Sequence, residues 1–191
     1  MGSLDPTTSV RVSVVVMAYP YPSLFGDKSV KLIVSSIRKK SPYAIDARAK
    51  TLNYLDSILA KLQARKAGAD EAVMLDPNGF VAEATGENIF VVKNGKLSTP
   101  VTVSSLGGIT RDTIFDIAKK LGYEVQERIM TVFDLYTSDE VFLTGTGAGV
   151  VAASEVDGRR IGITVPGSVT LRIMEAYKKF VREQYLTDAY S

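Results

Sequence analysis

Lys50, Glu83 and two glycine-rich segments are the residues whose types and spacing are suited to chemistry. Lys50 stands just ahead of a run whose leucines recur at helical spacing. The positive end of such a helix disfavours the ammonium form and favours the free amine, a nucleophile. Glu83 lies in the strand-like Gly79-Phe80-Val81-Ala82-Glu83-Ala84, where an acid either faces solvent or is held by a cation. Gly107-Gly108-Ile109-Thr110 enters a helix, offering free backbone amides and a hydroxyl. Thr144-Gly145-Thr146-Gly147-Ala148-Gly149 follows a strand and suits an anion-binding nest. Neither segment is a P-loop, because no Gly-Lys-Ser/Thr follows. Taken singly, each feature has an ordinary reading: a surface lysine, a solvated acid, a plain turn.

The 191 residues include no cysteine and no histidine. Disulfides, thiolate catalysis, Cys/His zinc sites and a Ser-His-Asp triad are therefore excluded, and no metal site is assigned. Covalent and acid–base chemistry is left to Lys, Asp, Glu, Tyr or a cofactor. Pyridoxal 5′-phosphate (PLP) makes three demands that match the residues above. It needs a lysine to condense with its aldehyde, a carboxylate to keep its pyridine nitrogen protonated, and amides to hold its phosphate. Lys50 suits the first and Glu83 the second. Either glycine-rich segment suits the third.

The elements that must position these groups follow from periodicity and turn chemistry. The chain is long enough for one large domain or two small ones, and 46% hydrophobic residues suffice for a sizeable core. Met1–Ser9 reads as a linker or expression boundary. Val10–Ala18 reads as a buried strand. Val30, Ile33, Val34 and Ile37 fit either a strand or a helix. Leu52, Leu55, Ile58, Leu59 and Leu62 define the apolar stripe of a helix that stops at Gly68. Asp76-Pro77-Asn78-Gly79, Asn94-Gly95 and Asp157-Gly158 mark three hairpins. Helices are expected from about Thr110 to Leu121 and from Val169 to Tyr185, and strands over Glu124–Met130 and Glu140–Thr144. No regular βαβ alternation supports a Rossmann fold.

Twenty-three basic and 21 acidic residues are dispersed along the chain, giving a net charge of +2. That balance provides no stripe for nucleic acid and no polybasic membrane patch. Arg38-Lys39-Lys40 reads as a solvated helix end. The apolar run from Val12 to Met17 is too short to span a bilayer, so no transmembrane or targeting segment is assigned and a cytoplasmic protein is expected.

Five motifs occur in order: Lys50-Thr51-Leu52-Asn53-Tyr54, Gly68-Ala69-Asp70-Glu71-Ala72, Glu83-Ala84-Thr85-Gly86-Glu87-Asn88-Ile89-Phe90, Gly108-Ile109-Thr110-Arg111-Asp112 and Gly145-Thr146-Gly147. From about Val12 to the end the sequence closely resembles the class IV aminotransferases, of PLP fold type IV, and among them the branched-chain amino acid aminotransferases. The resemblance implies an α+β fold, with a mixed, largely antiparallel sheet or pseudo-barrel and flanking helices. It implies a PLP-binding large domain over residues 10–191, with the family's small N-terminal domain absent. Carried onto this sequence, it makes Lys50 the Schiff-base lysine and proton shuttle, Glu83 the carboxylate at the pyridine nitrogen, and Tyr54 the partner of the cofactor's phenolic oxygen. Gly108, Ile109 and Thr110 would serve the phosphate, with Gly145 and Thr146, and Leu106 would pack on the ring. Thr146, Gly147 and Ala148 would meet the substrate carboxylate. The implied reaction exchanges an amino group between leucine, isoleucine or valine and 2-oxoglutarate, in a homodimer.

D-amino acid transaminases and aminodeoxychorismate lyases share the Lys-x-Leu-Asn element, but Tyr54 and Gly86-Glu87-Asn88 look more like the branched-chain group. Two departures stand out. The absent small domain normally supplies an arginine to the phosphate, and Gly147 stands where relatives often have alanine. The alternatives are a domain that binds PLP but turns over poorly, and an interaction domain on a recycled scaffold.

Overall fold

A computed structural model of the chain describes residues 5, 7, 11, 13–20 and 22–189. Its centre is β1 (Val30–Arg38), which the sequence left open between strand and helix. β1 pairs in parallel with β2 (Glu71–Leu75) on one edge and with β8 (Gly149–Val156) on the other. Both of its edges are taken, and along it buried Val30, Leu32 and Ser35 are interspersed with exposed Lys31, Ser36 and Arg38.

The remaining strands build outward from this centre. β2 turns through Asp76–Gly79 into antiparallel β3 (Val81–Ala84), with Gly79 at φ 90°. β4 (Asn88–Lys93) and β5 (Lys96–Pro100) form the second hairpin. Asn94 and Gly95 both have positive φ, the two-residue geometry that Asn-Gly favours. β6 (Val125–Arg128) lies parallel to β5, and β7 (Glu140–Gly145) pairs antiparallel with both β4 and β8. The short β9 (Arg159–Arg160) turns back on β8 at Asp157-Gly158. The nine-stranded sheet runs β3-β2-β1-β8-β7-β4-β5-β6 and curls until β3 approaches β4 and β5. It is the mixed, mainly antiparallel half-barrel that the motifs implied.

Period-two alternation along β4 divides the core. Ile89 and Val91 face an inner cluster with Val30, Leu32, Val73 and Leu143, while Phe90 and Val92 face α2 (Ile109–Lys120) and α4 (Ser168–Ala189). Phe90 and Phe142 stack there at 5.0 Å between ring centroids. The buried Arg111 of α2 donates to Pro100 O at 3.2 Å and pairs with Glu127 at 2.8 Å, tying the helix to β5 and β6. A short α3 (Val132–Tyr136), which the periodicity did not reveal, carries Leu135 into the inner cluster.

Two expectations are corrected. Val10 and Val12 lie outside the described residues, but residues 13–18 form no strand and are exposed, Val16 at 89%. β-Branched composition supplies propensity, whereas a strand also needs a ladder partner, and both edges of the central strand are occupied. The leucine helix exists as α1 (Leu55–Lys66), but its stripe faces away from the sheet. Leu55, Ile58, Leu59 and Leu62 are exposed, while Ser57, Ala60 and Ala64 meet Ala72 and Met74. Small side chains let the helix approach β1 and β2 closely. Leu52 precedes the helix altogether. No helix among the described residues is long and apolar enough to cross a membrane.

Candidate active site

Glu83 fixes the site. β3 buries all four of its residues, and the pairing of Met74 with Glu83 directs the carboxylate inward. Glu83 Oε1 accepts from Lys39 Nζ at 2.7 Å, and Oε2 accepts from the Leu106 backbone N–H at 3.1 Å. The Asn88 amide approaches Oε2 at 3.5 Å. Burial pushes the Glu83 carboxyl above the usual carboxylate range, and the Lys39 charge opposes it.

Lys39 therefore corrects a third expectation, since Arg38-Lys39-Lys40 is not a solvated helix end. Arg38 closes a strand, and alternation beyond it sends the two lysines to different partners. Lys39 is buried against Glu83, and Lys40 holds Asp56 and the Asn53 carbonyl. A cation was foreseen as one way to keep Glu83 buried. Its identity depended on register between β1, β2 and β3, which local sequence does not specify.

Lys50 reaches the same cavity from a strained loop. Asp46 caps a short 3-10 turn, Ala47–Ala49, by accepting from Arg48 N at 2.9 Å. Lys50 follows with φ 35° and Leu52 with φ 63°, both in the left-handed region that costs a non-glycine residue about 1–3 kcal/mol. One of the two outliers is the lysine itself, and the other lies two residues on. The expected proximity of Lys50 to a positive helix end is not met: α1 starts five residues later at Leu55, and a helix dipole fades within its first turn.

Lys50, Tyr54, Glu83 and Leu106 line one cavity, with Lys39, Asn53 and Ser57. The other expected residues stand outside its lining. Gly108 is the N-cap of α2 and provides no side-chain cap. The first helical bond runs from Asp112 N to Gly108 O at 3.0 Å, so the amides of Ile109, Thr110 and Arg111 have no partner within the helix. Gly145, Thr146, Gly147 and Ala148 form the β7–β8 turn, and Gly147 O accepts from Leu24 N at 3.1 Å.

Asn88, to which the sequence assigned no task, connects these parts. Its backbone pairs with Thr144, just before the turn, and its amide donates to Leu106 O at 2.8 Å. Its Oδ1 fills the space that a Cβ at Gly108 would need. Both glycine-rich segments thus meet the same end of β4. An asparagine opening the apolar run Ile89-Phe90-Val91-Val92 was the available signal, because a buried amide has to find partners.

Comparison with known proteins agrees with this arrangement. The model of the amino-transferase class IV family matches residues 1–156. The putative branched-chain-amino-acid aminotransferase of Methanocaldococcus jannaschii is 46% identical over 176 residues, 92% of this chain and 61% of that protein. The branched-chain aminotransferase of Thermoproteus uzoniensis, solved with norvaline, superposes with a TM-score of 0.83 at 38% identity, over 86% of this chain and 55% of that one. The PLP-form of the enzyme from Thermobaculum terrenum gives 0.81 at 37% identity, over 85% and 54%. The chain spans about 61% or less of these relatives' lengths. With the family model matching most of its residues, this chain belongs to the class IV aminotransferases.

Proposed function

We propose that this chain is the PLP-binding large domain, over residues 10–191, of a cytoplasmic, homodimeric branched-chain aminotransferase. Its reaction moves an amino group between leucine, isoleucine or valine and 2-oxoglutarate. The observation that carries the reading is the shared cavity of Lys50, Tyr54, Glu83 and Leu106. The donor set fits PLP: a lysine amine, a buried carboxylate kept in hydrogen bonds, a phenol, and a helix start with free amides. Thermobaculum terrenum's similar enzyme is known in a PLP-form.

Bound there, PLP supplies an electron-withdrawing ring that takes up charge as the substrate's Cα–H bond breaks. The protein's own groups do the rest. Lys50 Nζ would hold the cofactor and would serve as the base that accepts and returns the proton. Glu83, braced by Lys39 and the Leu106 amide, holds the proton at the ring nitrogen. The Tyr54 hydroxyl would donate to the phenolic oxygen, and Leu106 would pack on the ring. Gly108, Ile109 and Thr110 hold the phosphate, with Gly145 and the Thr146 hydroxyl. Thr146, Gly147 and Ala148 receive the substrate carboxylate. The exposed α1 stripe and the valines of residues 13–18 offer the apolar surface that a subunit interface would cover.

The test mixes purified protein with PLP and records visible absorbance for wild type and Lys50→Ala. A lysine-bound chromophore is expected in wild type and lost in the variant. Its absence from wild type would refute the reading. Colour without transfer from leucine to 2-oxoglutarate would leave a binding domain without turnover, and transfer from a D-amino acid instead would favour the D-specific relatives.

A further inference from the structure

Two buried carboxyls lie outside the cavity just described. Glu71 opens β2 at 1% exposure, and Glu87 precedes β4 at 5%. Glu71 Oε1 accepts from Thr85 Oγ1 at 2.6 Å and from Ala72 N at 2.7 Å. Its Oε2 pairs with Lys61 of α1, whose ammonium also reaches Asp70 O and lies 5.2 Å from the centre of the Phe25 ring. The Glu87 carboxyl is buried beside Glu71, near enough to feel its charge, and its Oε2 has no partner among the described residues.

Two carboxyls held together out of water disfavour a second negative charge, so a proton on one of them is favoured. One lysine cannot balance two buried negative charges, and Lys61 is committed to Glu71. The proton therefore belongs on Glu87, the member without a cation of its own. Burial first, then the Glu71 charge, push its carboxyl up to about 7, against the more distant attraction of Lys61. Among the described residues, the charged groups that act on this carboxyl are Lys61 of α1 and Glu71 of β2, and the Gly145–Ala148 turn carries no charge.

What Glu87 packs against gives this proton a consequence. Its Cγ lies 3.4 Å from where a Cβ would stand at Gly145, the first residue of the β7–β8 turn. We infer that burial beside Glu71, whose charge Lys61 holds in place, keeps Glu87 uncharged behind the Gly145–Ala148 turn, so that the turn can receive an anionic phosphate or carboxylate with no fixed negative charge at its back. Glu87 is thus a positioning residue for anion binding. The inference rests on the proposed role of this turn and deepens it. Below pH 7 the carboxyl is neutral and the turn attracts anions. As pH rises through 7 it ionises and the turn weakens.

Sulfate is the suitable probe, because its charge is constant across this range. Its affinity would be read from the Gly147 amide resonance of the full chain between pH 6 and pH 8.5, for wild type and Glu87→Gln. Wild type should weaken by roughly five- to tenfold across that interval, as expected for one new charge a short distance behind the anion. Glu87→Gln should stay flat at the wild-type pH 6 affinity. Glu71→Gln, which removes the charge that holds the Glu87 proton, should move the wild-type transition to lower pH and keeps the test decisive if Glu87→Gln does not fold. Parallel pH curves in wild type and variants, or no sulfate-induced shift at the turn at any pH, would overturn the inference. Loss of the Lys50-dependent PLP colour at pH 6 would instead strike the cofactor reading, leaving the sulfate result to stand by itself.

Discussion

α1 and α2 are both 12-residue helices beside the candidate site, and they bury opposite kinds of surface. α2 sends Ile114, Ile117 and Ala118 into the cluster around Phe90 and Phe142. α1 lays Ser57, Ala60 and Ala64 on the sheet and leaves Leu59 45% exposed and Leu55 69% exposed. The difference shows that the more apolar stripe of a helix need not be the one that meets its own sheet. In α2 the large side chains hold the helix in place. In α1 small ones do, and the large ones remain available to another surface.

The contrast can be broken most sharply at Ile114. Ile114→Ala removes a fully buried side chain from the α2 contact and should cost about 2–5 kcal/mol in urea unfolding. A loss below 1 kcal/mol would mean that this contact is looser than its burial implies. Next comes Ala60, fully buried under α1. Ala60→Leu should cost about 1–3 kcal/mol by forcing the helix off Ala72 and Met74. If it stabilised the protein, α1 would not be seated by close approach. The smallest effect is expected at Leu59. Leu59→Ala should change the stability of the dilute, single chain by no more than about 0.5 kcal/mol. A cost that grows with protein concentration would show that self-association covers the stripe.

What was legible in the sequence divides along the same line. Asn94-Gly95, Asp157-Gly158 and Gly68 specify their turns and stops through local backbone geometry, and the structure follows them. The existence of α1 was equally local, because leucine spacing sets the period. The period does not say which side meets the sheet, and alanines carry too weak an apolar signal to advertise a contact face. Val10–Ala18 misled for a related reason, since composition cannot supply a hydrogen-bonding neighbour. At the site, the cavity joins Lys50, Tyr54 and Glu83, which lie in the ordered motifs, with Leu106, which the family resemblance alone supplied. Lys39 and Asn88 escaped notice because their tasks arise only when distant strands align.

The crowding of Gly108 by Asn88 ties two positions twenty residues apart into one steric unit. Neither glycine's conformational freedom nor helix propensity explains residue 108, whose φ of −80° any amino acid adopts. Sequence variation in the loop that opens α2 is therefore coupled to the first residue of β4. Placing a side chain at 108 has to shorten or remove the one at 88 in the same step, and with it the hydrogen bond from Asn88 to the Leu106 carbonyl.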